Sequence, residues 1–185
     1  MNEMWRLQGV ARPPRAGHAG RIVRRLLMPF LILTALAAGP AAARDALGVY
    51  GGWGAFSDAA APRCYAIAEP RRAKVEGWRP FASVSTWPRR KIRGQLHIRL
   101  SRQRAGYAEV TAAIGERRFP LVAGAADAWA ADPRGDAAII AAMRSGEALR
   151  VVSHDTTGHR FADTYELRGA ATAIDAAALA CARLR

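Results

Sequence analysis

The sequence predicts a mainly β fold, an antiparallel β-sandwich with two helical additions, and three observations carry that expectation. In residues 95–101 the apolar Leu96, Ile98 and Leu100 alternate with Gln95, His97, Arg99 and Ser101, the period of a strand with one wet face. Short runs of similar character recur, with Gly94, Gly106, Gly115 and Gly158 between them, where tight turns want a residue that tolerates positive φ. Two further segments carry helical signals instead of the period of two.

Taken in order, strands are expected at 53–57, 63–68, 81–87, 96–101, 108–114, 117–122, 149–154 and 161–167. Their short connections imply antiparallel pairing. Asp132-Pro133 supplies an N-cap followed by the helical position that proline favours, so a short amphipathic helix is expected to follow, carrying Ile139, Ile140 and Met143 and ending at Gly146. The last helix is expected at 170–183. There Ile174, Ala177, Ala178 and Cys181 fall at i, i+3, i+4 and i+7, which puts the cysteine on the buried stripe. Asp175 near its start and Arg183 near its end suit the helix dipole.

Ahead of this pattern lies a different kind of sequence. Residues 21–43 run from Arg21, Arg24 and Arg25 through the apolar stretch 26–38 to Ala41-Ala42-Ala43. Thirteen apolar residues are too few for a bilayer core of roughly 30 Å, and the order basic, apolar, small is that of a cleaved signal peptide. The expected organisation is therefore a signal peptide at 1–43 with a long basic n-region, cleaved after Ala43, and one domain at 44–185. The alternative is an uncleaved anchoring helix. The location expected is the periplasm, with outer-membrane association open, and the remaining 142 residues suit one core.

Export gives the two cysteines a meaning. Cys64 and Cys181 are expected to form one disulfide, closing a loop for which chain-entropy models suggest roughly 4 to 5 kcal/mol. The alternative is a pair of buried free thiols. Charge adds a second theme. The full chain carries a net +13, and +8 remains after residue 43. Trp87-Pro88-Arg89-Arg90-Lys91-Ile92-Arg93-Gly94 reads as a hairpin tip with four cations beside an indole. Arg89, Arg90, Lys91 and Arg93 are the candidate anion-binding residues. Arg102, Arg104, Arg117 and Arg118 flank the following turns. Outside the inner membrane the expected counterparts are anionic lipid or acidic glycan, or an envelope or host-surface protein, and not nucleic acid. A solvated turn that guards strand edges is the plainer alternative.

Catalytic signals are weak. Ser153-His154-Asp155 holds the letters of a hydrolase triad, but adjacent strand residues point to opposite faces. His154, Asp155 and His159 are the alternative, a small hydrolytic or metal-dependent enzyme, with two nitrogens and one oxygen around a turn. No catalytic residue, no metal site and no cofactor is assigned. Asp163 shares a strand face with Phe161, Tyr165 and Leu167. It is expected to be wet at an open strand end, since a carboxylate in a core needs partners.

Glu147-Ala148-Leu149-Arg150-Val151-Val152, a polar turn, and then Tyr165-Glu166-Leu167-Arg168-Gly169-Ala170-Ala171-Thr172-Ala173-Ile174-Asp175-Ala176 resemble the ending of the invasion-associated locus B family. In that family a strand with a Leu-x-Gly exit feeds an alanine-rich terminal helix. Gly52-Trp53-Gly54-Ala55-Phe56 resembles its first strand and Cys64 opens the second, so that the similarity runs over 50–185. Members often carry further central cysteines, and this chain has none between Cys64 and Cys181. The resemblance implies an exported, immunoglobulin-like β-sandwich of the bacterial envelope without an established catalytic activity. It brings no site residues.

Overall fold

Ten antiparallel strands hydrogen-bond into one curled sheet, in the order β1-β2-β3-β4-β5-β8-β7-β6-β9-β10. The computed structural model describes residues 44–72 and 79–183. The expected signal peptide at 1–43 lies outside the described residues. The strands are β1 (Arg44–Tyr50), β2 (Trp53–Asp58), β3 (Arg63–Ala68), β4 (Phe81–Trp87), β5 (Ile92–Arg99), β6 (Val110–Ile114), β7 (Arg117–Ala123), β8 (Asp127–Trp129), β9 (Ala148–His154) and β10 (Arg160–Glu166). Among the described residues the α-helices are α1 (Pro133–Ser145) and α2 (Ala170–Ala182).

The antiparallel, mainly β expectation stands. The ladder continues from β5 through the three-residue β8 into β7, so the strands form one curled half-barrel rather than two separately bonded sheets. Residues 53–57 are also not the first strand. β1 precedes them and pairs with β2 from Arg44↔Asp58 to Tyr50↔Trp53.

One face of the curl holds the core. Trp53, Ala66, Val84, Leu96, Ile98, Val110, Leu149, Val151 and Tyr165 are buried there, most of them alternating with a more open neighbour as the pleat requires, whereas Val84 lies between the buried Ser83 and Ser85. α1 packs on β5 and α2 on β2 and β3. Asp132 caps α1 as expected, its carboxylate accepting from the Gly135 amide at 2.8 Å. One turn on, Asp136 accepts from the Leu96 amide at 2.8 Å, pinning the helix to β5. α2 is held more firmly. Cys181 is disulfide-bonded to Cys64 on β3, Cα to Cα 5.6 Å.

The start of α2 explains the Leu-x-Gly exit. Gly169 (φ 87°) and Gly51 (φ 60°) meet backbone to backbone, and a Cβ at Gly169 would collide with the Tyr50 carbonyl, one at Gly51 with that of Arg168. Beside them the Trp53 indole donates to the Glu166 carbonyl at 2.7 Å. The Arg71 amide donates to the Thr164 carbonyl at 2.9 Å. These bonds occupy carbonyls on the outer side of β10 that would otherwise be an unpaired edge. Among the described residues no helix is long and apolar enough to cross a membrane.

Candidate anion-binding tip and groove

The β4–β5 connection is a single 3₁₀ turn, Pro88–Arg90, closed by Lys91 in the left-handed region (φ 56°), whose amide donates to the Pro88 carbonyl at 3.0 Å. Gly94 (φ 68°) lies in the irregular stretch where the β4–β5 register shifts, between Ser85 and Trp87 on the opposite strand. This geometry leaves Arg89, Arg90, Lys91 and Arg93 exposed. Among the described residues none of them has a carboxylate within ion-pair distance. Trp87 is half-buried and lies against two cations, Arg90 at 5.0 Å and Arg63 at 5.1 Å from its ring centre. Arg63 also covers Tyr65 at 4.4 Å, and Tyr65 stacks on Phe56 at 5.5 Å. The indole therefore anchors the tip to the strands beneath it.

The other arginines named from the sequence are differently placed. Arg102 binds the Asp155 carboxylate at 2.7 Å. Arg104 spends its guanidinium on five backbone carbonyls: Gly124 at 2.7, Ala105 at 3.1, Gly106 at 2.9, Ala108 at 2.7 and Ala123 at 2.8 Å. Arg117 lies 5.0 Å over the Phe119 ring, and Arg118 donates to the Gly115 and Arg117 carbonyls. Of these three turns, the tip is the one where no cationic side chain hydrogen-bonds an acceptor among the described residues.

The Ser153-His154-Asp155 letters separate in space. Ser153 is buried and donates to the Glu109 carbonyl at 2.9 Å, while His154 is exposed on the opposite face. Asp155 is committed to the turn: the Thr157 hydroxyl (2.6 Å), Arg102 and the amides of His159 and Thr157 all donate to it. Those bonds, the Thr157 hydroxyl first, hold its carboxyl well below the usual range. His159 accepts or donates through Nδ1 to the Thr157 hydroxyl at 2.8 Å. Among the described residues no three His, Cys, Asp or Glu are grouped to hold a metal ion. His97, the third histidine among the described residues, stacks flat on Trp129 at 5.1 Å and pairs with Asp127 at 2.8 Å.

Asp163 overturns its expectation. It is buried, 4 % exposed, and accepts from the Ser101 amide at 2.8 Å. The strand end is closed by the segment after β5, which sequence neighbours do not announce. Burial raises its pKa above the ordinary carboxylate value, against the pull of Ser101 and of the Arg102 charge. Two residues along, the fully buried Tyr165 hydroxyl has no hydrogen-bond partner among the described residues, and burial, with Asp163 nearby, raises its pKa too.

A feature that the sequence did not reveal adjoins the tip. Between α1 and α2 runs an open groove of about 960 Å³, floored by Val84 and Ile92 and walled by Ile140, Ile174, Ala177 and Ala178. Cys181 lies at one wall, and Lys91 and Arg93 stand at the mouth. Ala178 was expected on the buried stripe of α2; it is exposed and faces this groove. Arg144 also lines it, but is bound by Asp175 at 2.6 and 3.1 Å. The signal available in advance was the excess of small residues on both helices, which leaves room that larger side chains would fill.

No protein-family model, curated protein or solved structure matches this chain.

Proposed function

We propose that the protein is an exported, non-enzymatic module of the cell envelope that docks on anionic lipid surfaces through Arg89, Arg90, Lys91 and Arg93. The observation that carries this reading is the contrast at the turns: these four cations lack carboxylate partners among the described residues, whereas Arg102 and Arg104 are bound internally. A rigid 3₁₀ turn that presents cations without pairing them attracts negative surfaces at modest salt. The export half rests on the basic, apolar and small segments of 21–43 and on the Cys64–Cys181 disulfide, a bond of oxidising compartments. The non-enzymatic half is supported by Ser153, His154 and Asp155, which do not converge.

Distant kinship with the invasion-associated locus B proteins belongs to the same proposal, supported by the Gly169 and Trp53 contacts where the resembling motifs meet. An immunoglobulin-like sandwich goes with that kinship, as the finer reading of the curled antiparallel sheet.

Two measurements test the reading. Mass analysis of protein recovered from the periplasm is expected to give a chain that begins at Arg44; an intact Met1 chain in the cytoplasm overturns export. Retention on phosphatidylglycerol vesicles is expected to fall with salt and to be lost in the triple variant Arg89→Glu, Arg90→Glu, Lys91→Glu, with phosphatidylcholine vesicles retaining neither form. Unchanged retention of the triple variant overturns the docking role.

A further inference from the structure

The groove beside the tip says what more the anionic partner carries, and this inference rests on the tip reading above. We propose that the groove between α1 and α2 takes the acyl chain of an anionic phospholipid whose head is held by Lys91 and Arg93. About 960 Å³ of space falls at the upper end of the range of pockets that enclose a small molecule, roughly 300–1,000 Å³. Its lining is largely apolar, with Lys91 and Arg93 from the tip as its unpaired cations and Arg144, held by Asp175, as the third. That division matches a molecule with one long apolar part and one negative end.

A peptide segment fits less well. Val84 and Ile92 sit on strands whose backbone groups are paired with each other, and Ile140, Ile174, Ala177 and Ala178 offer no hydrogen bond. An extended peptide laid against them would leave amides and carbonyls unsatisfied, which is unfavourable; an alkyl chain has none to satisfy. Gly94 contributes to the opening. A Cβ there would stand 3.0 Å from the Ile140 methyl, at the entrance below Lys91 and Arg93. Arg144 is not counted as part of the head site, because Asp175 already holds it.

The probe is a series of n-alkyl phosphates from six to twelve carbons, each below its micelle concentration, titrated into the purified protein by calorimetry. Affinity is expected to tighten by about fourfold for each methylene added, the factor that corresponds to burying it from water. Ala178→Trp, on one exposed wall, is expected to abolish that dependence on length. Ala141→Trp, on the facing wall, does the same if the first variant folds poorly, with thermal melts as the check on both. An affinity independent of chain length overturns the groove proposal. If vesicle retention is then still lost on charge reversal of the tip, the docking reading survives alone. If retention ignores the tip as well, both fall. A change of sedimenting mass in Ala178→Trp, with no effect on alkyl phosphates, assigns the groove to a second copy of the chain and likewise overturns the proposal.

Discussion

The tip at residues 88–94 and the corner formed by Arg102, Arg104 and Asp155 are both arginine-rich turns next to β5, yet they use their cations in opposite ways. At the corner the chain doubles back on itself. The Arg104 amide bonds the Ala125 carbonyl at 2.8 Å and the Ala105 amide bonds that of His154 at 3.0 Å, so that several carbonyls from two connections converge on one guanidinium. At the tip the turn is too tight to bring any acceptor beyond its own Pro88 carbonyl. An arginine near surplus carbonyls becomes part of the scaffold. One on a turn that satisfies itself is left exposed.

Variants can break or sharpen that contrast. The largest effect is expected from Arg104→Ala, which strands carbonyls of both connections and should lower unfolding stability by roughly 3 kcal/mol in a urea titration. Arg104→Lys should recover little of this, since an ammonium cannot serve acceptors on three nitrogens. A loss below about 1 kcal/mol for Arg104→Ala would place this arginine with the tip instead.

Next comes Asp155→Asn. The folded carboxyl titrates below its unfolded value, so its contribution is fully present above the unfolded pKa of about 3.9 and disappears as pH falls toward the folded one. The wild type should therefore lose stability on acidification below about pH 4 more steeply than the variant. Parallel acid limbs in thermal melts would remove Asp155 as the corner's anion.

Asp163→Asn should act in the other direction. Here the folded carboxyl titrates above its unfolded value, so the native state holds the proton more tightly and stability declines as pH rises through the interval between the two. The amide can still accept from Ser101 without a buried charge. Its melting midpoint at pH 7 should match or exceed that of the wild type, with a flatter profile above pH 4. A large drop at pH 7 would show that the charge itself, facing Arg102, is needed.

The smallest effect on stability belongs to the tip. Arg89→Glu with Lys91→Glu should stay within about 0.5 kcal/mol of the wild type, while reversing the charge of the exposed turn. A substantial destabilisation would mean that these side chains serve the scaffold as Arg104 does.

Much of the framework was legible because local rules and tertiary packing agree. Strands at 63–68 and 81–87 occur as expected, the Asp132-Pro133 start of α1 is real, and the stripe that buried Cys181 placed it against Cys64. β1 escaped because its residues are mostly exposed or half-exposed and alternate poorly. β8 escaped because three residues give no period, and with it went the continuity of the sheet. Arg89, Arg90, Lys91 and Arg93 were identifiable from one turn. The groove was not, because it lies between two helices far apart in sequence. The burial of Asp163 and the five acceptors of Arg104 likewise depend on partners from other connections.

The disulfide has a mechanical side. Cys64 and Cys181 enclose a sequence separation of 117 residues, so tension applied at Arg44 and Arg183 passes across the sulfurs from β3 to the last turn of α2. Only β1 and β2 can be peeled away, yielding roughly 70 Å of slack at about 3.4 Å per residue. The tip, the groove and the Arg104 corner all lie inside the closed loop. A pull on the ends would therefore strip the edge of the sheet and leave all three intact.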